Sequence, residues 1–425
     1  MKTFSTIFTL VLLLTVAPTL TAQVNWTKYE GNPVLVPGPA GDFDDYSGYP
    51  GCILFDGSTY HFWYGGHDGT RVRIGYATSP DGKTWTKYTD NPVMNVGTAG
   101  SWEDQLIEAP YVLFDGSTYH MWYSGYDGLN SRIGYATSSD GITWTKYEGN
   151  PILNIGSADS WESKGVVPDC IYFDGSTYHM WYGGSNASGV SCIGYAISSD
   201  CIIWTKYAGN PVLTPNAGTW DHQGVGAPDV FFDGSDYHMW YTNTSTASRW
   251  QWRIGYATSS DGITWTKYAG NPILTPDAGE WDSQYVGFSN VLWDSINSQY
   301  KMWYGGGSGS YHAKMGYATA PDTIPPSRIY DGLSAELPGN FVLMQNYPNP
   351  FNPTTVISWQ LAVSSHVDLS VYNLLGEKVA TLVSERMNAG YHTYQFDGKN
   401  LASGVYYYQL VAGDFREVKK MILLR

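Results

Sequence analysis

Apolar and polar positions alternate along the chain in short runs of period two, and no helical period competes with them. Tyr119-His120-Met121-Trp122-Tyr123 is one such run. An apolar stretch, Tyr111-Val112-Leu113-Phe114, precedes it. Asp115-Gly116 between the two predicts a tight hairpin turn, because Gly accepts positive φ without steric cost. Arg132-Ile133-Gly134-Tyr135-Ala136-Thr137 predicts a third strand, and a Ser-Ser-Asp-Gly turn leads into a fourth over 143–147. Together these predict a four-stranded antiparallel unit.

The unit recurs. WTKY begins at Trp26, Trp85, Trp144, Trp204 and Trp265, at intervals of 59, 59, 60 and 61 residues. GYA begins at Gly75, Gly134, Gly194, Gly255 and Gly316. Five copies of four strands predict an all-β fold, a five-bladed β-propeller over 23–320. The chain opens on a lone WTKY strand and the last unit ends on GYAT, so the Trp26 strand is expected to complete the last blade. The loops entering each unit share a face with the second-to-third-strand loops. From the second-strand Trp to the GYA Gly these span 12, 12, 13, 15 and 13 residues. Variable loops on a constant scaffold mark the functional face.

Outside the repeat, Lys2 and the apolar run Ile7 to Val16 predict an export signal over 1–22, cleaved after Ala22. No other stretch is long and apolar enough for a transmembrane helix in the mature chain. Residues 321–340 read as a linker. Residues 341–425 carry QNYPNPFNPTT, VDLSVYNLLGEKVATL and SGVYYYQLVAG in the pattern of a small antiparallel β-sandwich. This segment closely resembles the C-terminal sorting domain of the type IX secretion system. The resemblance implies type IX secretion machinery as a partner and a secreted or cell-surface location.

The formal charge is 23 − 38 = −15, which gives no electrostatic reason to bind nucleic acid or an anionic membrane. Uncharged polar partners such as carbohydrates fit better, and 16% aromatic content supplies stacking surfaces. Four cysteines are too few for a disulfide scaffold and show no evident pairing. No metal or phosphate-binding motif is present, so no cofactor is expected. The sequence neither requires nor forbids a structural calcium ion in the channel.

The five units align without gaps through the start of the first strand, which separates repeated from singular residues. Asp44, Glu103, Glu162, Asp221 and Asp282 each lie 12 residues before the Asp of the next turn. They are expected to serve the fold by capping turns or bonding backbone amides. Trp102 and its counterparts Trp161, Trp220 and Trp281 are expected to pack between blades, with sugar stacking as the alternative. Three carboxylates break the repeat. Glu108 replaces Tyr49, Val167, Gly226 and Gly287. Asp169 replaces Gly51, Pro110, Pro228 and Ser289, and Asp229 replaces Cys52, Tyr111, Cys170 and Asn290. All three start innermost strands, which converge on the propeller axis. Asp45, His67, Asp68, Asp104 and His222 add polar asymmetry in the loops. Asp45, His67, Asp68, Trp102 and His222 are the candidate substrate contacts.

Glu108-Ala109-Pro110-Tyr111-Val112 brings a family into view. Over 24–320 the chain resembles the five-bladed glycosidase superfamily of glycoside hydrolase family 43, arabinanases and invertase-like enzymes. The resemblance implies sugar hydrolysis with Glu108 as general acid. Such chemistry needs a protonated and an ionised carboxyl flanking the scissile bond. The family's first-blade Asp-Pro base is missing, since Tyr49-Pro50-Gly51 stands there. The base therefore falls to Asp169 or Asp229, or to Asp44 or Asp45 if their loop folds inward. The competing reading is a carbohydrate-binding or surface-display propeller without catalysis, and a protein-binding platform is a third.

Overall fold

The computed structural model describes residues 25–321, apart from 234, 245–251, 295–296, 298 and 310–312. It also describes 341–424, apart from 344–345, 347–350, 362, 388–389 and 414. The expected signal peptide, and the expected linker beyond its first residue, lie outside the described residues. Every regular element described is a β-strand.

Each repeat folds as an antiparallel sheet of four strands in sequence order. In the first these are Ser47–Phe55, Tyr60–His67, Val72–Ser79 and Thr86–Lys87. The equivalent innermost strands are Leu106–Phe114, Gly165–Phe173, Val225–Phe232 and Tyr285–Asp294. The second and third sheets touch through a single parallel pair, Gly165 and Ser131. In the last sheet the outer strand comes from the N-terminus. Thr27 pairs with Thr319 and Lys28 with Ala318, as the phase of the repeat predicts.

Two repeated interactions hold the sheets. The second-strand Trp is fully buried in every unit. In four of them the indole N–H reaches the turn of the next unit: Trp63 donates to the Gly141 carbonyl at 2.7 Å, and Trp181 to Gly262 at 2.8 Å. Trp303 of the last unit donates to Gly82 of the first at 2.6 Å, while Trp240 of the fourth meets the fifth sheet by ring packing on Trp26 and Tyr300. Trp122 uses the carbonyl of Cys201, which takes the turn glycine's place at φ 70°. Each such ring buries roughly 150–250 Å², which at about 25 cal/mol/Å² stabilises by roughly 4–6 kcal/mol as an upper estimate. The hydrogen bond adds about 1 kcal/mol.

The second interaction involves the repeated acids, which are buried. Their principal partners are side chains rather than the turn amides expected from sequence. Each accepts from the Lys of the WTKY strand in its own sheet. Asp44 meets Lys87 at 2.6 Å, Glu103 meets Lys146 at 2.7 Å, Glu162 meets Lys206 at 2.6 Å and Asp282 meets Lys28 at 2.7 Å. Tyr64, Tyr182 and Tyr304 donate their hydroxyls to Asp44, Glu162 and Asp282. The loop above each innermost strand is thereby pinned to the outermost strand.

In the C-terminal region, Val342–Leu343, Thr354–Leu361 and Gly390–Asp397 form one antiparallel sheet. Ser365–Tyr372, Lys378–Met387, Gly404–Ala412 and Phe415–Leu423 form another. Ile357 and Trp359 of the first share one apolar core with Leu369, Val371, Tyr408 and Leu410 of the second.

Lys146→Met removes the cation beside Glu103 and leaves a buried carboxylate uncompensated. The expected loss is about 3 kcal/mol, read as a melting temperature several degrees lower. An unchanged melting temperature contradicts the pinning role.

Candidate active site

The innermost strands are interrupted at one level. Pairing with the second strand breaks between Tyr49 and Cys52, Glu108 and Tyr111, Gly226 and Asp229, and Gly287 and Asn290. In the third unit it breaks between Pro168 and Cys170, leaving Asp169 alone unpaired. Proline, which has no N–H to give a ladder, sits in the break in three units, as Pro50, Pro110 and Pro228. The freed segments form a collar around a shallow cup open to solvent. Pro50-Gly51, Ala109-Pro110, Pro168-Asp169, Ala227-Pro228 and Phe288-Ser289 line it, with Asn290. None of these is Lys, Arg or His. The collar is tight: a Cβ on Gly51 would lie 2.8 Å from the Pro110 ring, and one on Gly305 2.8 Å from Pro50. Ala109, Ala227 and Phe288 hold φ of 49°, 47° and 54°, a region that non-glycine residues seldom occupy.

Asp169 is the carboxylate of the cup. Its Oδ2 accepts the Gly183 N–H at 2.7 Å. Glycine is required there, because a Cβ would stand 2.8 Å from that oxygen. Burial holds the Asp169 carboxyl well above the usual range. The Gly183 and Ala227 amides oppose the shift, and the charge of neighbouring Glu108 adds to it. Glu108 precedes the cup-lining Ala109-Pro110 by one residue and is paired with Ser124.

Asp229 lies one register position further along and belongs to a different layer. With Cys52, Tyr111, Cys170 and Asn290 it forms a waist across the axis. Asp229 Oδ2 accepts the Val291 N–H at 2.6 Å. Asn290 accepts from Ile53 N and donates to the Gly51 carbonyl, both at 2.7 Å. The Cys170 thiol reaches the Val230 carbonyl at 3.5 Å and the Tyr111 hydroxyl at 3.6 Å. These bonds stitch neighbouring innermost strands. Asp229 lines a second space, walled by Tyr111, Tyr172 and Phe231 among others. Burial raises its carboxyl to about 7. All four cysteines are buried free thiols, and burial pushes Cys52 up to about 12.

The other sequence candidates stand away from the cup. Trp102 packs on the Tyr123 ring at 5.9 Å, in a slot where a Cβ on Gly125 would lie 2.4 Å from it. Asp45 accepts the Gly41 N–H at 2.7 Å. Asp68 accepts from the Thr70 and Arg71 amides and pairs with Arg73. Although part-buried, it is held down to about 2 by those hydrogen bonds and that charge. His67 meets the Tyr46 ring edge-on at 5.0 Å. His222 is exposed, with Nδ1 2.8 Å from the Thr219 carbonyl. Asp44, paired to Lys87, is committed to the fold.

One site residue escaped the sequence reading. Phe288 lines the cup where the other units place Pro50, Ala109, Pro168 and Ala227. The same gap-free alignment contains that signal, one column beside Glu108. Among the described residues, no group of three or more His, Cys, Asp or Glu is placed to hold a metal ion, and no helix is long and apolar enough to cross a membrane.

Comparison with known proteins agrees with this architecture. Residues 345–424 match the secretion system C-terminal sorting domain. An uncharacterized protein of Mycobacterium tuberculosis is 25% identical over 289 residues, covering 64% of this chain and 93% of its own. A 1,2-β-oligomannan phosphorylase of Thermoanaerobacter is 27% identical over 226 residues, 49% of this chain and 68% of its own. Among solved structures, a GH130 glycoside hydrolase targeting β-1,2-mannosidic linkages in Candida mannan superposes with a TM-score of 0.56 at 17% identity, covering 74% of this chain and 98% of its own. The fold is therefore that of glycoside hydrolase-like propellers.

A carboxyl whose folded pKa is raised weakens the fold as pH climbs from its unfolded value of about 4 toward that raised value. For Asp229, at about 7, the penalty is complete above neutrality. Asp229→Asn, which still offers an acceptor to Val291, is expected to gain roughly 2–4 kcal/mol at pH 8 and nothing near pH 4. Thermal melts at both pH values check this; an equal effect at each contradicts it.

Proposed function

We propose that this chain is an exported glycoside hydrolase, a five-bladed β-propeller whose cup cleaves a polysaccharide or oligosaccharide, followed by a sorting sandwich. The observation that supports the reading is a symmetry-breaking carboxylate, Asp169, in the wall of the cup, its carboxyl raised by burial and also by the charge of Glu108. Such a pair keeps one proton, the state glycoside hydrolysis needs. Family resemblance gives the acid role to Glu108. The burial of Asp169 favours the opposite arrangement, with the proton on Asp169 and the charge on Glu108. Asp169 then protonates the leaving glycosidic oxygen, while Glu108 acts on the anomeric side, through water or directly. Asp229 belongs to the waist and supports the cup from below.

The mannoside phosphorylase relative raises phosphate as an alternative attacking group. A phosphate beside two carboxyls needs cationic compensation, and the cup lining has no Lys, Arg or His. Water is the better-matched nucleophile. Export follows from the match to the sorting domain and from the expected signal over 1–22. One observation favours the non-catalytic reading: the first unit places Tyr49, not an Asp, before Pro50.

A panel that includes β-1,2-manno- and α-1,5-arabino-oligosaccharides tests the proposal. Glu108→Gln and Asp169→Asn are each expected to lower kcat by roughly 10²-fold or more. With an aryl glycoside whose leaving group needs no proton, Asp169→Asn recovers and Glu108→Gln does not. Wild-type binding without product supports the non-catalytic reading instead.

A further inference from the structure

We propose that Phe288 is the sugar-stacking platform of the cup, backed by Trp252 and held in place by Thr242. This rests on the reading of the cup as a glycan site and adds the group that recognises the sugar's apolar face.

Three independent features single out Phe288. It puts an aromatic ring into the collar where the other units have Pro or Ala, and it is neither buried nor fully exposed. Its φ of 54° is unusual for a bulky residue, at a cost on the order of 1–3 kcal/mol. A backbone so placed persists only when its surroundings enforce it. Here the enforcement is visible: the Phe288 N–H donates to Thr242 Oγ1 at 2.8 Å, across the junction between the fourth and fifth sheets. Thr242 is itself singular, standing where the other units have Gly65, Ser124, Gly183 and Gly305. Next to it, Gly287 has no room for a side chain, since a Cβ would lie 2.7 Å from the Thr242 methyl.

The ring is buttressed. Trp252 meets Phe288 edge-to-face at 5.2 Å and 74°, and meets Tyr285 at 5.7 Å. Trp252 lies in the fourth unit, which has the longest spacing from its second-strand Trp to GYA. An aromatic face beside a carboxyl pair is the surface that the C–H face of a sugar ring takes, while its hydroxyls meet the polar groups. Trp102, in its glycine-walled slot, cannot offer such a face.

The test uses the full chain carrying Glu108→Gln, so that ligand is not consumed, with β-1,2-mannotriose and α-1,5-arabinotriose as calorimetric probes. Phe288→Gly relieves the backbone and deletes the ring. It is expected to weaken Kd about tenfold for the probe that binds, with a melting temperature close to the parent's, and Phe288→Tyr is expected to restore binding. In the active chain the same change raises KM about tenfold and moves kcat far less. An unchanged Kd overturns the platform, whether or not the melting temperature falls, and so does failure of both probes to bind at millimolar concentration. If Glu108→Gln abolishes turnover while Phe288→Gly leaves KM unchanged, the hydrolase reading stands and the platform fails. If no turnover occurs but Phe288→Gly abolishes binding, the platform stands and catalysis fails.

Discussion

A β-ladder cannot run unbroken toward the axis of this molecule. Five innermost strands converge there, and all five lose pairing with their neighbour at the same level. Prolines occupy three of the five gaps, where a residue without an N–H forfeits no ladder bond. Residues freed from the ladder are released from the alternation that elsewhere sends side chains into the sheet stack. They become the wall of the cup. The next position along returns to the ladder and knits the strands into a waist through side-chain bonds to backbone. Site and support thus come from adjacent residues of the same strands, and a shift of one position moves a carboxylate from one cavity to another.

Stability is left to the repeated residues. Buried tryptophans pack each sheet against the next, four of them hydrogen-bonded to a turn of the following unit, and buried acids tie the entry loop to the outer strand through lysine. Because these interactions recur in each unit, loss of any single one leaves the others in place. The singular residues are then free to violate local preference. Burial holds the Asp169 carboxyl well above its ordinary range, and Phe288 holds an unfavourable φ. Both belong to the cup, where strain and perturbed acidity are expected if the site does chemistry.

The periodic part of the molecule was readable because each unit repeats its own turn chemistry. The Asp-Gly turns, the alternation and the phase of WTKY anticipated the strands and the N-terminal strand that completes the last sheet. Glu108 and Asp169 stood out as breaks in that pattern. Asp229 stood out equally, and the alignment gave no reason to part it from Asp169. The two differ by one alignment column, and only the three-dimensional pairing shows that the ladder breaks at the Asp169 column and resumes at the Asp229 column. Trp102 was ambiguous because a tryptophan that stacks on sugar and one that fills a glycine slot look alike until Gly125 and Gly134 are placed against it. Phe288 passed unnoticed because a phenylalanine in a strand is ordinary; its backbone angle and its Thr242 partner are three-dimensional facts.

The account turns on Asp169 holding a proton that Glu108 does not. Carboxyl-carbon NMR titration of the full chain, with Asp and Glu labelled and resonances assigned by Asp169→Asn and Glu108→Gln, addresses this directly. The expected outcome is an Asp169 carboxyl titrating well above the usual range, moving down when Glu108 loses its charge. An Asp169 that titrates like a solvent-exposed aspartate, and is indifferent to Glu108, contradicts the paired-carboxyl site.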